Sequence, residues 1–323
     1  MKEGNLGMDQ STFLIINKLE RFFNAINSQS EDAPKVSALN SQRIFHGRGG
    51  CFSSLDWCCI DFFAPVFLIT CFKEPPEFFL QTVAEYIDSQ SKSFCVLTQS
   101  RYLPKSPIQI IYGTIPEQVY AQRQSLEFIL NFDQQNVGYF LDMEPGRLWL
   151  EERAEKKKVL NLFSYTCVFS VIAREAGASE VLNIDMSRRA LSIGRENHRK
   201  NNHDLSGIQF LGLDILKSWS RIRKNGPYDI IIIDPPSYQK GSFIASRDYA
   251  KIIRRIKEFA ATNAEILICL NDPKSSPQFL IDLVNTEAPY LLFDKRLSSH
   301  PDFPDISEDA ALKLLTYRMP EVN

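Results

Sequence analysis

The spacing of apolar positions along the chain changes character twice. From Ser11 to Ser28, Phe13, Leu14, Ile16, Leu19, Phe22, Phe23 and Ile26 fall on one helical face, which predicts an amphipathic helix. The helical period then gives way to short apolar runs at Gln42–His46, Trp57–Phe63 and Val66–Phe72. Gly47, Gly49, Gly50 and Pro75-Pro76 punctuate these runs, which read as strands. A helix over Glu77–Ser89 and a strand over Ser93–Thr98 complete a small α+β unit. Ile108–Tyr112 and Leu126–Phe132 read as further strands. The turn-forming stretch Gln134–Gly138 predicts that Tyr139-Phe140-Leu141-Asp142 returns as the hairpin partner of Leu126–Phe132.

From Lys158 onward strands and helices alternate. The strands are expected at Val159–Phe163, Glu180–Asp185, Ile208–Leu213, Tyr228–Asp234, Glu265–Asn271, Tyr290–Asp294 and Ala311–Tyr317. The helices are expected at Thr166–Glu175, Arg188–Asn201, Ile215–Lys224, Ser246–Asn263 and Pro277–Asn285. Val159–Phe163 and Ile230–Ile233 are almost wholly apolar, as in a parallel sheet covered by helices on both faces. The last two strands have no helix between them, so one of them should run antiparallel. The fold class is therefore α/β, a doubly wound sheet preceded by a smaller α+β domain. The expected organisation is a helical extension over residues 1–34, the small domain over 35–115, a linking β-hairpin over 116–155 and the α/β domain over 156–323. Residues 1–10 and the Ser28–Lys35 loop are expected to lack regular structure.

Composition narrows the function classes. With 323 residues, 44% of them hydrophobic and 24% charged, the chain is an ordinary globular sequence of about two domains. No apolar run is long enough to span a bilayer, and Asp61 and Pro65 break the longest candidate. The N-terminus lacks the pattern of an export signal, so a cytoplasmic location is expected. The seven cysteines contain no C-x-x-C pair and accompany only four histidines, which favours buried reduced thiols over a zinc site. A net charge of −2 does not by itself mark a nucleic-acid binder.

The candidate chemistry lies at strand ends, where open α/β sheets bind ligands. Asp185 closes the second strand, where a nucleoside-binding domain keeps a carboxylate for the ribose hydroxyls. Asp214 follows the third strand and is placed to hold an adenine amino group. Between Asn161 and Cys167 there is no glycine to admit a pyrophosphate, so a dinucleotide site is disfavoured. S-adenosylmethionine has no phosphate, and the small residues Ser164, Thr166 and Cys167 suffice for it. Asp234-Pro235-Pro236-Ser237-Tyr238 combines a carboxylate with two stiff residues that cannot donate from the backbone, a combination able to orient an amino-bearing planar substrate. Tyr238 is either a stacking surface for a base or a packing residue. Lys251, Arg254, Arg255 and Lys257 follow on one helix and are candidate RNA-phosphate contacts, the first three above all, with a solvated helix face as the alternative. Arg195, His198, Arg199, Lys200 and His203 form a second basic cluster, Arg48 stands between glycines, and His300 precedes Pro301.

Together these stretches resemble the class I S-adenosylmethionine-dependent methyltransferases, and more closely the large-subunit 23S rRNA methyltransferases acting on cytosine C5 or guanine N7. The resemblance rests on Val159–Ser170, Gly177–Val181 with Asp185-Met186-Ser187, Arg195-Glu196-Asn197 and Asp229–Ser237. Gly138–Asp142 resembles that family's hairpin folding over the cofactor, and Arg43–Thr98 its small central domain. The resemblance implies S-adenosylmethionine held by Asn161, Phe163, Ser164, Tyr165, Thr166, Asp185, Met186, Asp214, Phe140 and Asp142, with Asp234 through Tyr238 at the substrate. It implies an RNA partner, 23S rRNA first, and no metal; a homodimer is compatible with it. A methyltransferase of another substrate, or a silent cofactor-binding module, is the alternative. The RNA-binding PUA domain that opens many cytosine-C5 members is not expected in the roughly 40 residues before the central domain. Cytosine-C5 members also place a nucleophilic cysteine just past the fifth catalytic strand. Here Cys269 falls inside that strand and Asn271-Asp272 stand at the expected place, which suits methylation of an amine or ring nitrogen better.

Overall fold

The computed structural model describes residues 9–28, 39–236, 238–239 and 243–321. The expectations for residues 1–10 and Ser28–Lys35 fall almost wholly outside them, as does Ser237. The chain divides into two compact units, residues 1–141 with 301–306, and residues 142–300 with 307–323. This division falls inside the segment expected to be a linking hairpin.

In the first unit, α1 (Gln10–Asn27) starts at Asp9, whose carboxylate accepts the Ser11 and Thr12 N–H groups. Strands β1 (Gln42–His46), β2 (Cys58–Phe63) and β3 (Val66–Cys71), helix α2 (Phe79–Gln90), and strands β4 (Cys95–Ser100) and β5 (Ile108–Tyr112) follow. The five strands form one sheet in sequential order, with only β3 and β4 parallel. That parallel pair needs a crossover, which α2 supplies. Phe22 and Phe23 of α1 pack edge-on and tilted against Phe62, Phe67 and Phe94. The N-terminal helix is thus part of this unit's core and not a separate extension, because its aromatic face has a sheet to bury against.

Strands β6 (Tyr120–Arg123) and β7 (Leu126–Ile129) pair antiparallel with each other. This corrects the expected pairing of Leu126–Phe132 with Tyr139–Asp142. The Tyr139 ring packs on Phe128, 5.2 Å between centroids, while its segment turns into a 3₁₀ turn, Leu141–Met143. Helix α3 (Glu144–Glu151), also unforeseen, starts there because Pro145 fits a first helical turn.

The second unit contains β8 (Lys158–Leu162), α4 (Val168–Glu175), β9 (Glu180–Asp185), α5 (Arg188–Lys200), β10 (Ile208–Gly212), α6 (Trp219–Asn225) and β11 (Tyr228–Ile233). It continues with the short strands β12 (Tyr238–Gln239) and β13 (Phe243–Ile244), then α7 (Ala245–Ile253), β14 (Ala260–Leu270), α8 (Pro277–Glu287), β15 (Leu292–Arg296) and β16 (Lys313–Arg318). The main sheet runs β10-β9-β8-β11-β14-β16-β15. Strands β8 to β11 and β14 are parallel, and β16 is antiparallel to both its neighbours, as the missing helix before it required. Strand order reverses between β8 and β11, which places the switch point at the loops after Leu162 and Ile233.

Two expected helices are shorter than their apolar spacing suggested. Residues 246–263 split into α7, a 3₁₀ turn and the start of β14, because Tyr228 donates its N–H to Phe259 and draws the following residues into the sheet. The stretch Ile215–Lys224 breaks at Ser218 into a 3₁₀ turn and α6.

Candidate active site

The loop after β8 carries the first group of expected residues. Phe163, Tyr165 and Cys167 all have positive φ, at 58°, 46° and 60°. Left-handed backbone at non-glycine residues costs about 1–2 kcal/mol each, so a loop holding three of them in five residues is over-determined by its surroundings. The pinning contacts are visible. Ser164 donates its N–H to Ile184, Tyr165 donates its N–H to the Asp185 carboxylate at 2.9 Å, and Thr166 O accepts from buried Asn197. Cys167 is fully buried against α5, where a Cβ added to Gly194 would lie 2.5 Å from its Sγ. The glycine that lets this loop pass close to a helix therefore stands in the helix. The sequence placed the loop but gave no hint of that exchange.

Asp185 ends β9 beside this loop. One carboxylate oxygen accepts from Tyr165 N–H and the other from Ser187 N–H at 2.7 Å. Burial raises its pKa and the two backbone donors oppose the rise. Each oxygen keeps a lone pair for a further donor. Asp214 accepts the Leu216 N–H at 3.0 Å and lies 3.3 Å from Lys217 Nζ, so it caps its turn while facing the same space. A cleft is lined by Phe163, Asp185, Met186, Asp214, Ile215, Leu216 and Phe243. Two carboxylates among apolar walls, with Phe163 and Phe243 edge-to-face, match a flat nucleoside with a polar diol. The residues present thus fit S-adenosylmethionine. Phe243, Ile215 and Leu216 line the cleft without any sequence signal.

Two expected cofactor residues, Asn161 and Thr166, are buried and do not line the cleft. Asn161 is buried within β8 and donates to Asn183, which donates to Ser170, whose hydroxyl meets His198 Nε2 at 2.8 Å. It belongs to an interior polar network instead of the cleft. Thr166 is also buried, its carbonyl taken by α5. Phe140 lies in the first unit, 41% exposed.

Asp234 follows β11 at the switch point, with the buried Pro235 and exposed Pro236 after it. Its pKa is pushed up to about 7, by burial first, then by the like charge of Asp142, against the pull of Arg147. Arg147 is buried on α3 and bonds Glu144 at 3.2 Å. The structure thus joins Asp142 to Asp234, two residues given different roles from sequence, and adds Arg147, which the sequence did not reveal. Beneath them Tyr249 shares its hydroxyl proton between the carbonyls of Cys269, at 2.5 Å, and Ile233, at 3.1 Å, tying the ends of β14 and β11 together. Cys269 is fully buried. Burial and the two aspartates push its thiol well above the usual range, so it offers no thiolate. Of Tyr238, only the backbone, paired with Ile244, belongs to the described part.

Several of the basic candidates are ion-paired. Lys251 pairs with Asp248 at 2.7 Å, Arg254 with Glu287 through two bonds, and Arg255 with Glu258 while stacking on Trp219. In the other cluster, Arg199 pairs with Glu196, Arg195 lies over Phe210, and His198 is buried with its pKa lowered to about 3. No group of metal-ligating side chains occurs among the described residues, and no helix among them is long and apolar enough to cross a membrane.

Comparison with known proteins fixes the family. The sequence is 33% identical over 132 residues to ribosomal RNA large subunit methyltransferase I of Aeromonas salmonicida (strain A449), which is 40% of this chain and 33% of that protein. It is 37% identical over 144 residues to ribosomal RNA large subunit methyltransferase K/L of Psychrobacter arcticus, 42% of this chain and 18% of that protein. The chain thus spans about a third or less of the length of these curated relatives. Among solved structures, a methyltransferase complexed with SAH superposes with a TM-score of 0.79 at 24% identity, over 98% of this chain and 83% of that one. The S-adenosylmethionine-dependent methyltransferase of Agrobacterium tumefaciens gives 0.66 at 18%, over 88% and 91%. At such identities the likeness speaks for the fold alone. The family model for S-adenosylmethionine-dependent methyltransferases matches residues 42–318, so a cleft that suits a nucleoside and a raised aspartate at the switch point belong to a member of the S-adenosylmethionine-dependent methyltransferase family.

Proposed function

We propose that this methyltransferase acts on a nitrogen of an RNA base, with large-subunit ribosomal RNA the first substrate to test. The observation that carries this reading is Asp234. It follows β11, the strand paired with β8 that leads into the Phe163–Cys167 loop, and Pro235 behind it fixes the chain. Bound S-adenosylmethionine supplies an electrophilic methyl group on a sulfonium. Asp185 holds the ribose hydroxyls, Asp214 faces the adenine amino group, and the Phe163–Cys167 loop carries the remainder. Asp234 accepts a hydrogen bond from the base N–H and aligns the nitrogen, so positioning supplies most of the catalysis. With a pKa of about 7, the same carboxylate can hold the proton that the nitrogen sheds. The buried, protonated thiol of Cys269 speaks against cytosine C5 as the acceptor, because that chemistry needs a thiolate. The names of the curated relatives favour ribosomal RNA over other substrates. The base must leave its stack to reach such a site, which favours a loop or partly assembled RNA.

The test compares wild type with Asp234→Asn on naked 23S RNA and on assembled subunits, with methyl transfer and cofactor affinity measured separately. The variant keeps the shape, so affinity should hold while transfer falls about 100-fold or more. Undiminished transfer would remove Asp234 from the mechanism. Transfer by wild type to neither RNA, but to a protein or small molecule, would remove RNA as the substrate.

A further inference from the structure

Among the described residues, the first unit contains a pair of arginines with no carboxylate partner. Arg48 stands exposed in the Gly47–Gly50 loop after β1, its guanidinium 4.3 Å from the centre of the Phe72 ring. Arg101 follows β4, and its N–H bonds the Cys71 carbonyl, so it leaves the sheet beside Phe72. Its guanidinium donates to the Gln135 carbonyl at 3.2 Å, which Gln99 also reaches at 2.9 Å. Burial lowers the pKa of Arg101 and the charge of Arg48 lowers it further; burial, Arg43 and then Arg48 lower that of His46. Neither is ion-paired with a carboxylate among the described residues. Arg43, within β1, shows the contrast, since Asp61 grips it through two bonds of 2.7 and 2.8 Å.

The loop that presents Arg48 is built to hold it. A Cβ on Gly47 would lie 1.8 Å from the Leu55 carbonyl oxygen, and one on Gly49 1.9 Å from that of Pro304. Gly49 O also accepts the Ile306 N–H at 2.8 Å. Both glycines are buried, and the arginine between them points out from a fixed backbone. The exposed Tyr102 and Lys105 follow Arg101 on the adjoining turn.

Two like charges held together repel each other, and a protein that keeps them without a carboxylate leaves the neutralising anion to a ligand. Guanidinium forks match phosphate oxygens, and an exposed aromatic ring beside them matches an unstacked base. We propose that Arg48 and Arg101, with Tyr102 beside them, form a phosphate-binding patch for single-stranded RNA on the first unit. This rests on the reading of the protein as an RNA methyltransferase and names the surface that grips the substrate.

The experiment measures fluorescence anisotropy of a labelled, mixed-sequence single-stranded RNA of about 20 nucleotides, titrated with the full chain at several salt concentrations. Each phosphate neutralised on a single strand contributes about 0.7 to the slope of log K against log salt. Arg48→Gln/Arg101→Gln should lower that slope by about 1.4, with S-adenosylmethionine affinity unchanged as the check on folding. Arg48→Lys/Arg101→Lys should keep the slope. A glutamine pair with the wild-type slope overturns the patch while leaving the RNA reading standing. A lysine pair that loses the slope also overturns it, because charge is then not what is read. Wild type that does not bind the RNA overturns the patch and the RNA reading together. Equal displacement of the RNA by poly-glutamate at matched charge assigns the patch to an acidic protein and overturns it as an RNA site.

Discussion

Gly194→Ala tests whether the cofactor loop is held by the void on α5. The new methyl would sit 2.5 Å from Cys167 Sγ, 2.8 Å from its Cβ and 3.4 Å from Thr166 O. Cys167 is fully buried in left-handed backbone at φ 60°, ψ 31°, so it has no open space to retreat into. Overpacking of this kind costs about 1–3 kcal/mol, and replacing a mid-helix glycine by alanine returns about 1 kcal/mol. The net expectation is a loss of about 1 kcal/mol, with weaker S-adenosylmethionine binding because the displaced residue ends the loop. Cys167→Gly relieves the left-handed strain but empties a buried site, so its two effects nearly cancel. In the double variant the alanine methyl occupies the vacated space, and the two changes should couple favourably by about 1–2 kcal/mol, within the range seen for residues in contact. Urea unfolding of the four proteins, with calorimetric cofactor affinity on each, gives the cycle. Strict additivity of the two substitutions in both measurements would refute the reasoning, since it would mean that the loop and the helix do not meet.

Further expectations follow from the same geometry. Asp234 has its pKa raised to about 7, so methyl transfer should rise as pH climbs through about 7 and then level off. Asp142→Asn, which removes a like charge, should move the inflection down, and a pH–rate profile that stays put in that variant would contradict the pairing. Asp185→Ala should weaken cofactor binding by about 1.5–3 kcal/mol for each hydrogen bond lost to the carboxylate; unchanged calorimetric affinity in a folded variant would refute that role. Cys269→Ala should retain transfer, whereas a covalent complex with 5-fluorocytosine RNA in wild type, absent in the variant, would restore the thiol as nucleophile. His198 is buried with its pKa lowered from 6.5 to about 3, so the folded state holds it neutral. Its contribution to stability is complete above about pH 6.5 and fades as pH falls, by about 1.4 kcal/mol per unit. Thermal unfolding of wild type should therefore drop more steeply between pH 7 and 5 than that of His198→Gln, and parallel curves would count against the assignment.

The sequence alone determined the alternation of strand and helix after Lys158 and the antiparallel end of the main sheet. It also placed Asp185, Asp214 and Asp234 at strand ends. These features follow from local periodicity, from the apolar character of strands covered on both faces, and from proline and glycine chemistry, all written in short stretches of chain. The tertiary structure decided what depends on residues far apart in sequence. Tyr139–Asp142 carries a strand-like apolar pattern, but its tyrosine found a ring to pack on and Pro145 found a helix start. Lys251, Arg254 and Arg255 read equally as phosphate contacts or as a solvated face, and only the fold brought Asp248, Glu287 and Glu258 alongside. Asn161 stood in a motif for the cofactor, yet β9 offered Asn183 at 3.0 Å and drew it inward. The absence of glycine from the Phe163–Cys167 loop had its counterpart in Gly194, 27 residues past Cys167 on another element. The raised pKa of Asp234 comes first from burial and then from Asp142 in the segment before the sheet, because burial and charge act through space and not along the chain.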